Sequence, residues 1–249
     1  MNDVVCVWVG DKYDEKFVTN LYHGIKKHTT TDFRFNVITN HAHISKTIPC
    51  RIIPIPNWNH LGVNIMHHRK AWWFKMWMFN PEHKFSKNTL YFDLDVVIIR
   101  NIDKFFSYSP KQFCILQDFN RQFIKDYKVC NSSIMKFNSK RHSDLWYEFD
   151  QNKEHYMQCH RGDQDYITKY YEDRNIKHRS LWPREWAMSW KWEIEKGGKR
   201  NNGTDRNSWY HPDKPYVIPD DCSVVVCHGD PKPSEIECKF VKKNWINSS

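Results

Sequence analysis

Glycine is scarce in this chain, with 8 among 249 residues, which excludes collagen-like repeats and glycine-rich linker designs. Long apolar runs are missing too. No stretch reaches 18 apolar residues, so nothing in the sequence reads as a membrane-spanning helix. The first ten residues lack the basic start and the small-residue cleavage site of a signal peptide. None of the eight cysteines forms a CxxC pair, so that redox or metal signature is absent. No block of five like charges occurs, and no repeat or linker divides the chain. Residues 1–249 read as one domain, large enough to bury roughly 70–75% of its unfolded surface.

What is present is a globular composition, with 40% hydrophobic and 27% charged residues. Lys and Arg total 38 against 29 Asp and Glu, a net charge of +9. A basic surface suits an anionic partner: nucleotide phosphate, nucleic acid or an acidic membrane face. Charge alone does not choose among them. Cys6, Cys114, Cys130 and Cys227 sit in or beside apolar runs and read as buried small hydrophobes. The expectation is a reducing, cytoplasmic setting, in which the sequons at Asn131, Asn202 and Asn247 carry no weight.

Strand and helix patterns alternate over the first hundred residues. Val4–Val9 is a short apolar run closed by Gly10-Asp11 and reads as a buried strand. Phe17, Leu21 and Ile25 give Asp14–His28 helical spacing. Strands follow at Phe33–Thr39 and Arg51–Ile55, a helix at Ile65–Phe79, a strand at Thr89–Asp93 and extended chain at Val96–Ile99. This alternation predicts an α/β fold with a mostly parallel sheet. Further on, Phe113–Gln117, Ser132–Phe137 and Ser223–His228 read as strands, and Ser143–Met157 and Asp163–Asp173 as helices. Glu195–Pro215 is polar, cationic and glycine-bearing, and reads as a long exposed loop able to close over a site.

Three segments carry chemistry. The first is Leu90–Val97, where apolar residues lead to Asp93-Leu94-Asp95. Ligands of open α/β sheets bind at the carboxyl ends of strands. Two carboxylates there repel unless a cation sits between them, and their oxygens suit Mn²⁺ or Mg²⁺ with a substrate phosphate. The plainer reading is a strand end with two solvated Asp. A haloacid-dehalogenase-type phosphatase would use the first Asp as nucleophile, but that motif ends the first strand of its fold, and here three strands precede it. The second segment is His228-Gly229-Asp230-Pro231-Lys232-Pro233. Its imidazole can ligate a metal, Gly229 permits close backbone approach, and the proline-held Lys232 can meet a phosphate. The third is Gly162-Asp163-Gln164-Asp165 opening an apolar helix. Asp163 there is an N-cap, or the group recognises sugar hydroxyls.

Taken in order, Asp93-Leu94-Asp95, Asn131-Ser132-Ser133, Gly162-Asp163-Gln164-Asp165, Ser189-Trp190-Lys191 and His228–Pro233 resemble the metal-dependent glycosyltransferases of the GT-A fold. The likeness is to the glycogenin and lipopolysaccharide-galactosyltransferase group, family 8, with its bacterial and phage relatives, and it runs from Val4 to Pro233. It implies a single Rossmann-like GT-A domain with a mixed, mostly parallel sheet flanked by helices. The nucleotide-binding half spans about residues 1–110, the acceptor-side half 111–235 and a C-terminal tail 236–249. It implies hexose transfer from a nucleotide-diphosphate sugar, UDP by family likeness, to a glycan, lipid-linked or other hydroxyl acceptor, with retention.

The same resemblance assigns residues. Asp93, Asp95 and His228 would hold Mn²⁺ or Mg²⁺. Asp93, Asp95, Lys232, Gly229, Lys191 and Asn131 would contact the donor. Asp163, Gln164 and Asp165 would face the sugars, with Lys75, opening Lys75-Met76-Trp77, near the donor. Two positions depart from the pattern: Ser133 stands where the family has Gly, and the His228–Lys232 spacing is shorter than glycogenin's. The residues Gly10, Asp11 and Tyr13 are placed to hold a base.

Aromatics are plentiful, with 12 Trp, 12 Tyr and 15 Phe. Trp72, Trp73, Met76, Trp77 and Phe79 lie at helical spacing and read as core. Trp182, Trp186, Trp190 and Trp192 fall in an irregular stretch, as core or as sugar-stacking platforms. The rival reading from another class is a nucleic-acid-binding protein, motivated by the charge and the aromatics, but no recognised motif supports it. The expected partners are therefore a nucleotide sugar and a carbohydrate acceptor, without nucleic acid; peripheral membrane contact stays open.

Overall fold

The computed structural model describes residues 1–63, 68–124, 127–174, 179–195 and 217–245. Nearly all of the predicted loop 195–215, the start of the predicted helix at 65–67 and the sequons at Asn202 and Asn247 lie outside them. The strands are β1 (Asn2–Trp8), β2 (Phe33–Thr39), β3 (Arg51–Pro54), β4 (Thr89–Phe92), β5 (Val96–Ile98), β6 (Phe113–Gln117), β7 (Cys130–Phe137), β8 (Arg179–Leu181), β9 (Ala187–Ser189) and β10 (Val224–Val226). The α-helices are α1 (Glu15–Lys27), α2 (His68–Ala71), α3 (Asp103–Ser107), α4 (Ser143–Gln151), α5 (Lys153–Cys159), α6 (Asp163–Asp173) and α7 (Lys239–Trp245).

A seven-stranded sheet runs in the order β3-β2-β1-β4-β7-β6-β8. Strands β1 to β4 are parallel, β7 is antiparallel between β4 and β6, and β8 is parallel to β6. Side-chain alternation along β1 explains why both faces are covered. Val4, Cys6 and Trp8 pack with Val18, Leu21 and Ile25 of α1, while Val5 packs with Trp73, Met76 and Tyr166 on the other face. Asp14 caps α1 by accepting from Lys16 N–H at 3.0 Å.

Beyond the Asp93–Asp95 turn the chain enters a second, three-stranded sheet, β5-β10-β9. Strand β10 is antiparallel to β5, with Val226 opposite Val96. Cys227 N–H then donates to the Asp95 carbonyl at 2.9 Å. This pairing carries His228 beside the turn from the far end of the sequence.

Four predicted elements come out differently. The helix expected over 65–79 is α2 followed by a 3₁₀ helix, Trp72–Phe79. Side chains three apart eclipse in a 3₁₀ helix, so Trp73, Met76 and Phe79 share one buried row. The helix expected over 143–157 breaks at Asn152, whose φ of −129° is not helical. The irregular stretch 182–192 contains β9 and a π-helical turn, Trp190–Ile194. Finally, the predicted tail includes α7, which buries Val241 and Trp245.

Candidate active site

The carboxyl ends of β1 and β4 open onto a cleft of about 490 Å³. Asp93, the residue after β4, lies on its floor, and Asp95 follows after one turn residue. The two carboxylates have different partners. Asp93 Oδ1 accepts from the Tyr91 hydroxyl at 2.5 Å and lies 2.8 Å from Lys75 Nζ. Asp95 Oδ2 accepts from the Tyr13 hydroxyl at 2.8 Å and from Lys232 Nζ at 2.9 Å. Burial alone would raise the Asp93 carboxyl, but the Lys75 ammonium and the Tyr91 hydroxyl hold it below its ordinary value. Burial pushes the Tyr13 phenol up, and the Asp95 charge adds to this, so Tyr13 stays a donor.

Lys75 reaches inward from the 3₁₀ helix. Its ammonium lies 3.8 Å from Asp163 Oδ2 and donates to Ser132 Oγ at 3.1 Å. Burial would lower it; the surrounding carboxylates, Asp163 foremost, outweigh burial and raise it. Asp163 opens α6 and is 3% exposed. Burial raises its carboxyl, and its Oδ2 has no hydrogen-bond partner among the described residues. Gln164 bridges β7 and the residue that follows β6: its Oε1 accepts from Ser132 N–H at 3.4 Å, and its Nε2 donates to Asp118 Oδ2 at 3.4 Å. Asp165 stands half-exposed on the same wall.

On the other side, His228 stacks on Phe119 at 4.9 Å, and its Nε2 lies 2.7 Å from Ser189 Oγ. Burial, with the ammonium groups of Lys191 and Lys232 nearby, lowers the imidazole to about 3. It is therefore neutral at ordinary pH. Gly229 has φ of +72°, a backbone conformation that favours glycine, and a Cβ there would lie 2.5 Å from Lys191 Nζ, so the lysine tip would have to shift.

The predicted residues converge. Asp93, Asp95, Asn131, Asp163, Gln164, Asp165, Lys75, His228 and Gly229 all line the cleft. Lys232 and Lys191 adjoin it through Asp95 and Gly229. Asn131 uses its Oδ1 to accept from Ser133 N–H at 3.0 Å, which shapes the strand at the position where Ser133 replaces glycine.

Two carboxylates and a neutral imidazole are donors that suit Mn²⁺ or Mg²⁺. Among the described residues, however, no three such groups stand close enough together to surround an ion. Lys75, Lys232 and Tyr13 engage the carboxylates instead. The donor chemistry fits a divalent ion, and Lys232 is the group whose hold on Asp95 such an ion would replace.

Sequence reasoning missed Lys12, Asp118, Arg121 and Glu193, and misplaced Trp72. Lys12 lines the cleft beside Tyr13, and burial together with Lys232 lowers its ammonium. Asp118 orients Gln164. The ion pair of Arg121 Nη2 with Glu193 Oε1, at 3.1 Å, is almost wholly buried. It shapes the Ser189–Trp192 turn, since Glu193 Oε2 accepts from Ser189 N–H at 2.8 Å. Trp72, expected in the core, is 40% exposed and lines the cleft. Its signal was the period of three: Trp72 and Lys75 share one row of the 3₁₀ helix. Of the four later tryptophans, Trp182 and Trp190 are core, while Trp192 packs edge-on against His228 at 4.8 Å.

No helix among the described residues is long and apolar enough to cross a membrane. Neither a family model nor a curated protein sequence matches the chain. Solved structures do. The galactosyltransferase LgtC in complex with donor and acceptor sugar analogues is similar at TM-score 0.66 and 15% identity, covering 95% of this chain and 90% of that one. The WbbM bifunctional glycosyltransferase is similar at TM-score 0.61 and 13% identity, covering 99% of this chain and 50% of that one. Mouse xyloside xylosyltransferase 1 is similar at TM-score 0.54 and 11% identity, covering 91% and 97%. The layered α/β architecture, the strand order and these likenesses together give the chain the GT-A glycosyltransferase fold.

Proposed function

We propose that this chain transfers a hexose from a nucleotide-diphosphate sugar, most simply a UDP-sugar, to a hydroxyl of a glycan or lipid-linked acceptor, with retention at the anomeric carbon. The observation that carries the reading is the cleft at the ends of β1 and β4. There both carboxylates of the Asp93–Asp95 turn meet lysine ammonium groups beside a wall of Asp163, Gln164 and Asp165. Its likeness to LgtC with sugar analogues bound supports the same substrate class.

Asp93, Asp95 and His228 would hold a divalent ion, which supplies charge neutralisation to the departing diphosphate. Lys232, released from Asp95, moves its charge onto that diphosphate, and Lys191 sits beside Gly229 for the same task. Lys75 stays with Asp93 and Asp163 and fixes the floor on which the donor sugar rests. Asp163, Gln164 and Asp165 orient sugar hydroxyls. The acceptor hydroxyl attacks the anomeric carbon from the leaving-group face, forming the new C–O bond as the bond to the diphosphate oxygen breaks. The acceptor proton passes to that oxygen.

A panel of nucleotide sugars, assayed for hydrolysis with Mn²⁺ and with excess EDTA, tests the reading. We expect one UDP-sugar to be cleaved with Mn²⁺ only. Full cleavage in EDTA, or none across the panel, overturns it.

A further inference from the structure

Trp72 is a large aromatic side chain, 40% exposed at the cleft surface, that lies against the backbone of Gly162. A Cβ at Gly162 would lie 3.1 Å from Trp72 Cε3, so the missing side chain at Gly162 is what lets the indole edge lie against the backbone there. Gly162 is extended, with φ of −179°, so its glycine answers to this contact and not to backbone strain.

The contact belongs to a ladder. Trp72 and Lys75 lie one turn apart on the 3₁₀ helix, about 6 Å at 2.0 Å per residue. Gly162 and Asp163 are adjacent at the start of α6. Lys75 meets Asp163, and one rung further out Trp72 meets Gly162. The inner rung is charged and buried; the outer rung is aromatic and open. Arg161 and Asp165 flank the outer rung along the same cleft.

From this we infer that Trp72 is the stacking platform of an acceptor subsite and that the acceptor presents a pyranose ring. This rests on the transferase reading above and specifies its acceptor. A pyranose has an apolar C–H face and a rim of hydroxyls. The indole face takes the first; the Arg161 guanidinium and Asp165 carboxylate take the second. An acceptor that stacks there lies one helical turn from the Lys75–Asp93 floor, within reach of the donor sugar. Aromatic packing of this kind fixes ring orientation, which decides which hydroxyl attacks.

Saturation-transfer NMR tests this directly. The probes are the methyl α- and β-pyranosides of galactose, glucose and mannose, and lactose, each with the full chain in the presence of UDP and Mg²⁺. For the wild-type protein we expect at least one pyranoside to receive saturation at its ring C–H protons. In Trp72→Ala its affinity falls by about threefold to tenfold, the range of an aromatic contact, while Trp72→Phe keeps most of it. Calorimetry of UDP on the same samples reads the donor site separately and should give equal affinity in all three proteins. If no pyranoside binds the wild-type protein, or if Trp72→Ala binds it equally well, the acceptor subsite is refuted. Loss of UDP affinity in Trp72→Ala also refutes it, by making Trp72 part of the donor site or the fold. Failure of UDP to bind wild-type protein would overturn the transferase reading and with it the acceptor role, while the pyranoside titration would still show separately whether Trp72 binds a sugar ring.

Discussion

The main sheet carries buried carboxylates at both ends, and they are treated in opposite ways. At the amino end of β1, Asp3 is 1% exposed and closed on every side. Its Oδ1 accepts from Arg34 Nε at 2.7 Å and Asn36 Nδ2 at 2.9 Å, and its Oδ2 from Arg34 Nη2 at 3.0 Å and Ser86 N–H at 2.6 Å. At the carboxyl end, Asp93 pairs with Lys75 and Asp95 with Lys232 in a cleft, and across that cleft Asp163 Oδ2 lacks a hydrogen-bond partner among the described residues. A carboxylate whose lone pairs are consumed by the fold ties strands together. A carboxylate held by a displaceable ammonium group is available to a ligand.

The largest effect that separates the two ends is Asp95→Asn. Catalysis should fall by about a thousandfold or more, the scale of losing charge stabilisation at the leaving group, while the melting temperature stays near wild type. A variant that kept its activity would place Asp95 with Asp3 as a structural group. Lys232→Ala comes next. Loss of a charge-assisted phosphate contact should weaken UDP binding by about 1.5–3 kcal/mol, read by calorimetry. Unchanged affinity would mean that Lys232 only screens Asp95.

Asp3→Asn should do the reverse of Asp95→Asn. Activity per folded molecule is kept, and stability drops by about 1–3 kcal/mol, seen as a lower Tm. Acid titration sharpens the point further. Burial alone would raise the Asp3 carboxyl, but Arg34, Asn36 and Ser86 bring it below its ordinary value of 3.8. The stabilisation is therefore full above that value and is lost as pH falls through the lower folded value. The stability gap between wild type and Asp3→Asn, measured by urea denaturation, should narrow below pH 4 and be constant from pH 5 to 8.

The same contrast explains what was legible in the sequence. Strand β1, helix α1, strand β2 and the Asp93–Asp95 turn follow from local pattern: apolar runs, a helical period and two carboxylates closing a run. His228, Lys232 and the Asp163–Asp165 group stood out because a glycine, flanking prolines or a helix start marks each one. Three of the residues that were missed, Arg121, Glu193 and Asp118, act through distance in the chain. Arg121 finds Glu193 only when the sheets are assembled, and Asp118 finds Gln164 across β7. Trp72 was misplaced because an α-helical period sends it to the core, whereas the tighter 3₁₀ turn aligns it with Lys75 in the cleft. That His228 and Asp95 come together follows from the β5–β10 pairing, which no local pattern encodes.

The most direct measurement is calorimetric titration of the full chain with UDP, once in Mn²⁺ and once in excess EDTA. The account predicts binding in Mn²⁺, and its loss or marked weakening in EDTA, where Lys232 remains on Asp95. Equal UDP affinity in both buffers, or tight binding of duplex DNA with no UDP binding in either, would contradict it.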